Sequence, residues 1–367
     1  MITQRTVTLL GTLTLMSAIG ASVAMVDRLS EVRTEVQAEL LYPDFDRRAG
    51  EVQQIEVIRA DDNPDGNISI VRTGDGWILQ QRDGFPARTD TVRKLLFDIG
   101  QLELIERKTA DPGRFDRLSL VDVAQAGSAA DRLVVTTADG ETLVDLHVGK
   151  RRDSLAGGEP MVYVRRTDDN QSFLAEGALE IKGKAPLWLF REVVNVPQTS
   201  IRRARIVTAD GARLDLERET PEGRDFRIVD LPAGRTVDSQ YSVNNAATVL
   251  DKLLFDDVRT ADGLVFDPEL GHAEFTTADG VLYTVEFAAD PSGADPGAAE
   301  GNGPDGKSPP RWIRVRVTVP ESAPQDVRAL AEKHRDQTKD WAFRISDWEM
   351  ERMTATVDGL TKPAEAS

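Results

Sequence analysis

The pattern of apolar and polar positions begins with a long uncharged run near the N-terminus. Residues 7–26 contain no charged side chain, whereas Arg5 precedes them and Asp27 follows. Twenty residues at 1.5 Å each make a helix of about 30 Å, which matches the thickness of a bilayer core. The run therefore predicts a transmembrane anchor, and the positive charge before it predicts that residues 1–6 are a short cytoplasmic tail.

A cleaved signal peptide is the alternative for this run, because Ser22 and Ala24 suit a signal-peptidase site. The run is longer than the apolar core of a usual signal peptide, which favours a retained signal anchor. Ser17, Gly20, Ala21 and Ala24 also form a face of small residues on which another membrane helix could pack. The same small residues fit the end of a signal peptide, so both interpretations stay open.

The next segment is predicted to be a juxtamembrane stalk over residues 27–50. Its apolar side chains recur at helical spacing up to Pro43, at Leu29, Val32, Val36 and Leu40. The spacing predicts a short amphipathic helix that leaves the membrane, with a solvated spacer as the alternative.

Beyond residue 50 the pattern alternates between strands and amphipathic helices. Strands are predicted at Ile55–Arg59 and Val162–Arg166, and a hairpin over Asp131–Lys150. A helix over Thr91–Gly100 would place Val92, Leu95, Leu96 and Ile99 on one face. Further helices are predicted at Val243–Phe255 and Pro324–Lys339. These elements predict an α+β fold.

Four short sequences recur in the same order, two of them identically and two in similar form, which predicts an internal duplication. After the two TTADG copies the apolar positions differ in phase by one residue, so the two hairpins are expected to differ by a bulge or a turn length. The copies are KLLFD at Lys94–Asp98 and Lys252–Asp256, TTADG at Thr136–Gly140 and Thr276–Gly280, MVYVRRT at Met161–Thr167 against WIRVRVT at Trp312–Thr318, and LWLFRE at Leu187–Glu192 against DWAFRI at Asp340–Ile345.

The predicted layout is two related domains behind one membrane helix, each an antiparallel sheet with a helix. A Gly, Pro and Asp-rich stretch interrupts the second domain and is expected to be flexible. The predicted segments are the anchor at 7–26, the stalk at 27–50, the first repeat at 51–197, the second repeat at 198–358 with its insertion at 289–310, and a disordered tail at 359–367.

The net charge and the absence of cysteine exclude some classes of function. The 367 residues carry 62 acidic and 45 basic side chains, a formal charge of −17. This charge repels phosphate backbones, so no nucleic-acid partner is expected. The absence of cysteine excludes disulfides, thiolate nucleophiles and cysteine-ligated metals.

Two motif matches lack the context that their chemistry needs. Asp61, Asn63, Asp65 and Gly66 match the first half of a calcium loop, but Arg72 stands where the final glutamate is required. The stretch from Gly301 to Ser308 fits the phosphate-loop pattern. Two prolines follow it where a helix would have to begin, so no nucleotide is expected there.

No catalytic, metal or cofactor site is predicted. The three histidines, His147, His272 and His334, are far apart in sequence and lack zinc-ligand spacing. His147 alternates with apolar neighbours and is expected to point outward from its strand. Trp77 and Trp312 are the candidate aromatic residues for a ligand or partner, although core packing is the stronger interpretation because several tryptophans occupy matching repeat positions.

Several stretches of the chain carry a family resemblance. They are LLYPDFDRR, VQQIEVIR, GWILQQRDGFPA, ERKTADPGRFDRLSLVD, VYVRR, FLAEGALEI and LWLFREVVNV. Together they resemble the bacterial domain-of-unknown-function family 4340. The resemblance covers most of residues 40–196 and is fainter in the second half. It implies a single-span envelope protein with two related α+β halves, often encoded beside ABC transport components of the gliding-motility type, and it carries no catalytic residues.

The expected function is that of a non-enzymatic accessory or scaffold subunit of an ABC-type envelope transport system. It would span the bacterial inner membrane once, with its bulk in the periplasm and inner-membrane transport subunits as partners. The alternative is a periplasmic module that binds a polysaccharide or peptide in a groove between the two repeats. A hydrolase with paired carboxylates is a third hypothesis, for which no residue pair stands out. The sequence predicts no oligomeric state.

Overall fold

The structure is a computed structural model and describes residues 35–60, 66–74, 76–152, 159–220, 222–289 and 312–364. The predicted anchor at 7–26, with Ser17, Gly20, Ala21 and Ala24, lies outside these residues, as does the predicted insertion after Ala289. In the described part, no helix is both long and apolar enough to cross a membrane.

The chain divides into two compact units. The first ends at Trp188 and excludes residues 82–85, whereas the second contains residues 82–85 and the chain from Leu189 onward. The sequence placed the boundary after residue 197. Both units are antiparallel sheets with a few helices, so the fold is α+β.

The first sheet has ten described strands, and two α-helices accompany it. The elements are β1 (Glu35–Leu40), α1 (Phe45–Arg48), β2 (Val52–Ile58), β3 (Ile68–Thr73), β4 (Gly76–Leu79), β5 (Phe85–Pro86), α2 (Thr89–Gly100), β6 (Glu103–Arg107), β7 (Asp131–Thr137), β8 (Thr142–Arg152), β9 (Met161–Arg166) and β10 (Ser172–Glu176). Their order in the sheet is β1-β6-β10-β9-β8-β7-β2-β3-β4-β5.

Local patterns predicted the central elements of this unit correctly. Helix α2 buries Val92, Leu95, Leu96 and Ile99, as their spacing indicated. The β7–β8 hairpin also forms, with a register shift between Val135 and Thr136.

The segment between β6 and β7 packs close to β8, so this part of the sheet is covered on a face that alternation alone would leave in water. A Cβ atom at Gly149 would collide with the carbonyl oxygen of Leu118. Phe115 from the same segment lies under the guanidinium of Arg165, 4.8 Å from the ring centroid. His147 is therefore fully buried, and the prediction that it points outward is wrong.

The predicted stalk is also wrong for its described part. Residues 35–40 form strand β1, which pairs with β6, and Leu41 and Phe45 are buried. The apolar spacing of Val36 and Leu40 fits a helix when read locally. The backbone pairing with β6, which begins only at Glu103, decides for a strand.

The second unit has thirteen described strands and four α-helices. They are β11 (Glu192–Val194), β12 (Ile201–Thr208), β13 (Arg213–Arg218), β14 (Phe226–Ile228), β15 (Arg235–Val237), α3 (Gln240–Ala247), β16 (Leu253–Leu254), β17 (Asp257–Thr260), β18 (Val265–Phe266), β19 (Gly271–Thr277), β20 (Leu282–Ala289), β21 (Trp312–Thr318), α4 (Gln325–Thr338), β22 (Trp341–Arg344), α5 (Asp347–Met353), α6 (Val357–Leu360) and β23 (Thr361–Pro363).

The main sheet of this unit runs β14-β13-β12-β19-β20-β21-β22-β17, with β18 on β20. Two small sheets, β11-β16 and β15-β23, complete it. The β19–β20 hairpin keeps a regular register, so the predicted difference between the two hairpins is confirmed as a bulge in the first. Helix α4 confirms the prediction at Pro324–Lys339.

Two sequence predictions for this unit are wrong. The helix predicted to reach Phe255 ends at Ala247, because Lys252 takes a left-handed backbone (φ 56°) and Leu253 pairs with Val194. The tail was predicted to be disordered, but residues 361–363 form β23 on β15. Arg235 holds them through hydrogen bonds to the hydroxyl and carbonyl of Thr361.

Candidate functional site

Trp77 lies at the floor of a cleft in the first unit. It is 5% exposed, because Arg72 stands opposite it on β3 with its guanidinium 5.5 Å from the ring centroid. The cleft has a volume of about 370 Å³. Its lining residues are Asp46, Ala49, Gly50, Arg72, Trp77, Thr89, Arg93, Leu96 and Phe97. We call this the Trp77 cleft.

Helix α2 supplies the wall of the Trp77 cleft. Thr89, Arg93, Leu96 and Phe97 lie at helical spacing on one side of α2, next to the face that enters the core. Phe97 is 63% exposed, which is unusual for a phenylalanine on an amphipathic helix. The helix therefore presents a large apolar side chain to solvent at the rim of the cleft.

The cleft combines this apolar surface with two cationic side chains. Arg72 donates through Nη1 to the carbonyl oxygen of Gly50 at 2.9 Å, and the described residues offer it no carboxylate partner. Arg93 is exposed and likewise forms no ion pair within the described part of the chain. Asp46 is the carboxylate of the lining, and it accepts a hydrogen bond from Gln101 Nε2 at 3.1 Å. An incoming anion would therefore meet guanidinium groups that form no ion pair with a side-chain carboxylate of the described residues.

The lining of the Trp77 cleft suits recognition. Its larger side chains are two arginines, a tryptophan, a leucine and a phenylalanine, with Asp46 and Thr89 as the other polar groups. Guanidinium groups, an aromatic floor and an exposed apolar side chain are the groups that dominate protein-binding surfaces. Noncovalent binding is the chemistry that this arrangement supports.

A second cleft, of about 500 Å³, lies around Tyr42. Arg166 stacks over the Tyr42 ring at 5.5 Å, and burial raises the pKa of the Tyr42 hydroxyl to about 12. Asp145 accepts hydrogen bonds from Arg132 at 2.8 and 2.7 Å and from Thr167 at 2.6 Å, and the Arg132 bonds lower the pKa of its carboxyl. Because these polar groups bond to one another, we interpret them as structural contacts that hold the segment around Tyr42 against the sheet.

Trp312, the other aromatic candidate, lies in the second unit and is 8% exposed. It packs with Leu264, Ala288 and Ala342. Its indole Nε1 has no hydrogen-bond partner among the described residues. The ring fills a core cluster and offers little surface to a ligand.

The buried histidines lie in different units. His147 Nε2 is 3.7 Å from an Asp122 carboxylate oxygen, and neither ring nitrogen has a hydrogen-bond partner in the described chain. His334 faces the Tyr283 hydroxyl, with its Nδ1 3.0 Å from the oxygen. Across the described ranges, no three His, Asp or Glu side chains are grouped closely enough to hold a metal ion.

Sequence reasoning identified Trp77 but missed Phe97, Arg72 and Arg93. The signal for Phe97 was present in the helical pattern. It is the large apolar residue of α2 that falls outside the face formed by Val92 and Ile99, so it had to be exposed or covered by something else. The contribution of Arg72 depended on strand pairing and could not be read from spacing.

The comparisons with known proteins give a family and no activity. A family model described as a domain of unknown function, DUF4340, matches residues 77–269, which is more than half of the chain. No curated protein and no solved structure matches the sequence. The match begins at Trp77, the floor of the cleft, and the chain belongs to the DUF4340 family.

Proposed function

We propose that the protein is a non-enzymatic accessory or scaffold subunit that binds another protein of an ABC-type envelope transport system. The observation that carries the binding role is the Trp77 cleft, where an exposed Phe97 stands beside arginines that have no carboxylate partner in the described part of the chain. The link to transport rests on the family resemblance of the sequence alone. The description of the matching family names no function.

The proposal includes a membrane anchor at residues 7–26. Its support is the uncharged twenty-residue run with Arg5 before it. The anchor would hold both units on the periplasmic side of the bacterial inner membrane, where they can meet membrane-embedded transport subunits.

We also infer that the two units arose by internal duplication. Eight strands of the first sheet run β4-β3-β2-β7-β8-β9-β10-β6, and those of the second run β14-β13-β12-β19-β20-β21-β22-β17, which is the same order. Each unit also has one α-helix between its third and fourth corresponding strands, α2 between β4 and β6 and α3 between β14 and β17. Short sequences support this alignment, because Thr109-Ala110-Asp111 comes just after β6 and Thr260-Ala261-Asp262 begins at the last residue of the corresponding strand β17.

Two of the repeated sequences do not fit that alignment. The first KLLFD lies inside α2, whereas the second lies after the end of α3. DWAFRI contains β22, whose counterpart is β10 and not LWLFRE. The inference therefore depends on strand order, and an experimental structure whose two sheets failed to superpose strand for strand would remove its support.

The second candidate function is a periplasmic binding module for a polysaccharide or peptide. The structure favours the peptide form at the Trp77 cleft. Sugars stack on an open aromatic face, whereas Arg72 covers Trp77 and leaves it 5% exposed. Peptides use apolar anchors such as Phe97 and backbone groups instead.

The test is site-specific photocrosslinking in native membranes. A benzophenone amino acid replaces Phe97 in the full-length protein, and mass spectrometry identifies the crosslinked partner. The control carries it at Tyr241, which is 73% exposed in the second unit. We expect ABC-type membrane subunits from position 97 and not from position 241. Recovery of no transport subunit from position 97 would contradict the proposal.

A further inference from the structure

We propose that the Trp77 cleft binds an acidic peptide segment of a partner protein, in which a large apolar side chain stands next to an aspartate or glutamate. This inference rests on the proposed protein-binding function and names the chemistry of the partner. It is carried by the charges and the apolar surface of the cleft together.

The basic side chains at and after the start of α2 differ in whether a carboxylate pairs with them. Arg88 is paired with Asp90 at 2.6 Å, and Lys94 with Asp98 at 2.7 Å. Arg93 stands between them in sequence, lines the cleft and has no carboxylate partner among the described residues. Arg93, which lines the cleft, is thus the basic residue of this group that can pair with an external anion.

Arg72 provides a second position for an anion. Its described hydrogen bonds, to the carbonyl oxygens of Gly50 and Val52, use Nη1 alone. Nε and Nη2 donate to no acceptor among the described residues, and a guanidinium can give a carboxylate two parallel hydrogen bonds. The bonds through Nη1 hold the group in place over Trp77, so little side-chain entropy is lost when an anion binds.

The apolar part of the cleft lies next to these charges. Phe97 follows Arg93 by four residues on α2, so their Cβ atoms are about 6 Å apart. Adjacent Cα atoms of a peptide are 3.8 Å apart, and where the peptide bends, unlike in an extended strand, neighbouring side chains can lie on the same side. A carboxylate and a neighbouring apolar side chain on one peptide can therefore reach Arg93 and Phe97 together.

The overall charge selects against more highly charged anions. The chain carries a formal charge of −17, and Asp46, Asp90 and Asp98 lie on or beside the cleft elements. A polyanion such as nucleic acid or an anionic membrane surface would meet this field over a wide area. A short peptide brings one or two carboxylates to the arginines and keeps its other contacts apolar.

The experiment measures fluorescence anisotropy with the full-length protein in detergent. The probe is a fluorescein-labelled peptide, Gly-Ser-Asp-Phe-Asp-Gly-Ser, and the matched probe replaces each Asp by Asn. We expect the Arg93→Gln variant to weaken binding by about tenfold, the loss of one charge-assisted contact, and the Asn peptide, which lacks both carboxylates, to bind at least as weakly. Phe97→Ser should weaken binding similarly, whereas Arg88→Gln, whose side chain is paired with Asp90, should leave it nearly unchanged.

Three results would overturn the inference: no binding of the acidic peptide, equal binding of both peptides, or equal displacement of the probe by phosphatidylglycerol vesicles. Competition against the Phe97 photocrosslink separates this inference from the proposed function. If a transport subunit is crosslinked and excess acidic peptide does not displace it, the accessory role stands and the acidic-peptide inference fails. If the peptide binds with the expected pattern but no transport subunit is recovered, the inference stands and the transport role fails.

Discussion

Arg218 illustrates how one buried side chain can organise irregular backbone. It donates from Nε to the Ile201 carbonyl at 2.7 Å and from Nη1 to that of Gly223 at 2.6 Å, and Nη2 donates to Gln198. The guanidinium also stacks on Phe226 at 4.5 Å. Burial lowers the pKa of Arg218, and the carbonyl partners compensate for the lost solvation.

Replacing Arg218 should therefore destabilise the second unit. We expect Arg218→Met to lower the free energy of unfolding by about 2–4 kcal/mol, because several carbonyls lose their donor. Urea denaturation measures the loss. Arg203→Met on the neighbouring strand β12 is the control and should cost under about 1 kcal/mol, since the Arg203–Glu217 pair is exposed. Equal losses in the two variants would contradict this account of Arg218.

The buried histidines make the protein sensitive to acid. Burial lowers the pKa of His147 to about 4, with a smaller contribution from Arg165. Arg132 adds to that lowering, whereas Asp122 and Asp145 oppose it. Burial also lowers the pKa of His334 to about 4. Each histidine binds fewer protons when folded than when unfolded, so its contribution is intact above pH 6.5 and is lost as the pH falls from 6.5 toward 4.

The pH dependence gives a second prediction. At pH 5 the protonation of unfolded His147 should cost the wild-type protein about 2 kcal/mol of stability relative to pH 7.5. His147→Met removes the titrating group, so urea denaturation of this variant should show a loss that is smaller by that amount. Leu146→Met, a buried substitution on the same strand that removes no titrating group, is the control and should keep the wild-type acid loss. An unchanged acid loss in His147→Met would contradict the prediction.

At the scale of elements, Gly149 permits the segment between β6 and β7 to pack against β8. A Cβ at this position would collide with the Leu118 carbonyl oxygen and lie 2.9 Å from that of Ser119. We expect Gly149→Ala to lower the free energy of unfolding by about 1–3 kcal/mol, because backbone atoms must move. Gly76→Ala is the matched control, since the nearest atom to its Cβ is 3.9 Å away.

Thermal and urea denaturation of both glycine variants give the comparison. Gly76→Ala should unfold like the wild-type protein. A Gly149→Ala variant of wild-type stability would mean that the segment between β6 and β7 shifts without cost and that its contact with β8 is weak.

For the whole molecule, the proposed anchor makes a prediction about location. The full-length protein should stay in the membrane pellet after carbonate extraction and keep its N-terminus, because a twenty-residue apolar helix inserts stably. Leu13→Arg should weaken insertion, since a central arginine costs about 3 kcal/mol. Thr6→Arg, which adds a charge on the cytoplasmic side, is the control and should remain anchored. A soluble protein whose chain starts near Ala24 would identify a cleaved signal peptide instead.

The sequence by itself determined the elements that are stabilised locally and the family. The α2 and α4 helices and the β7–β8 hairpin follow from period and turn chemistry within a few residues. The family's structural residues were also recognisable from the chain alone. Trp77 could be singled out as a candidate for the site, because a tryptophan among short strands is conspicuous.

Tertiary structure decided the features that depend on distant partners. Helix α3 ends at Ala247 because the residues after it pair with β11, and residues 361–363 are ordered because Arg235 binds them. His147 is buried because the segment between β6 and β7 packs close to its strand. The Trp77 cleft exists because strand pairing places Arg72 over Trp77 beside α2. Hydrophobic periodicity reports one element at a time, whereas burial and binding surfaces arise only when elements meet.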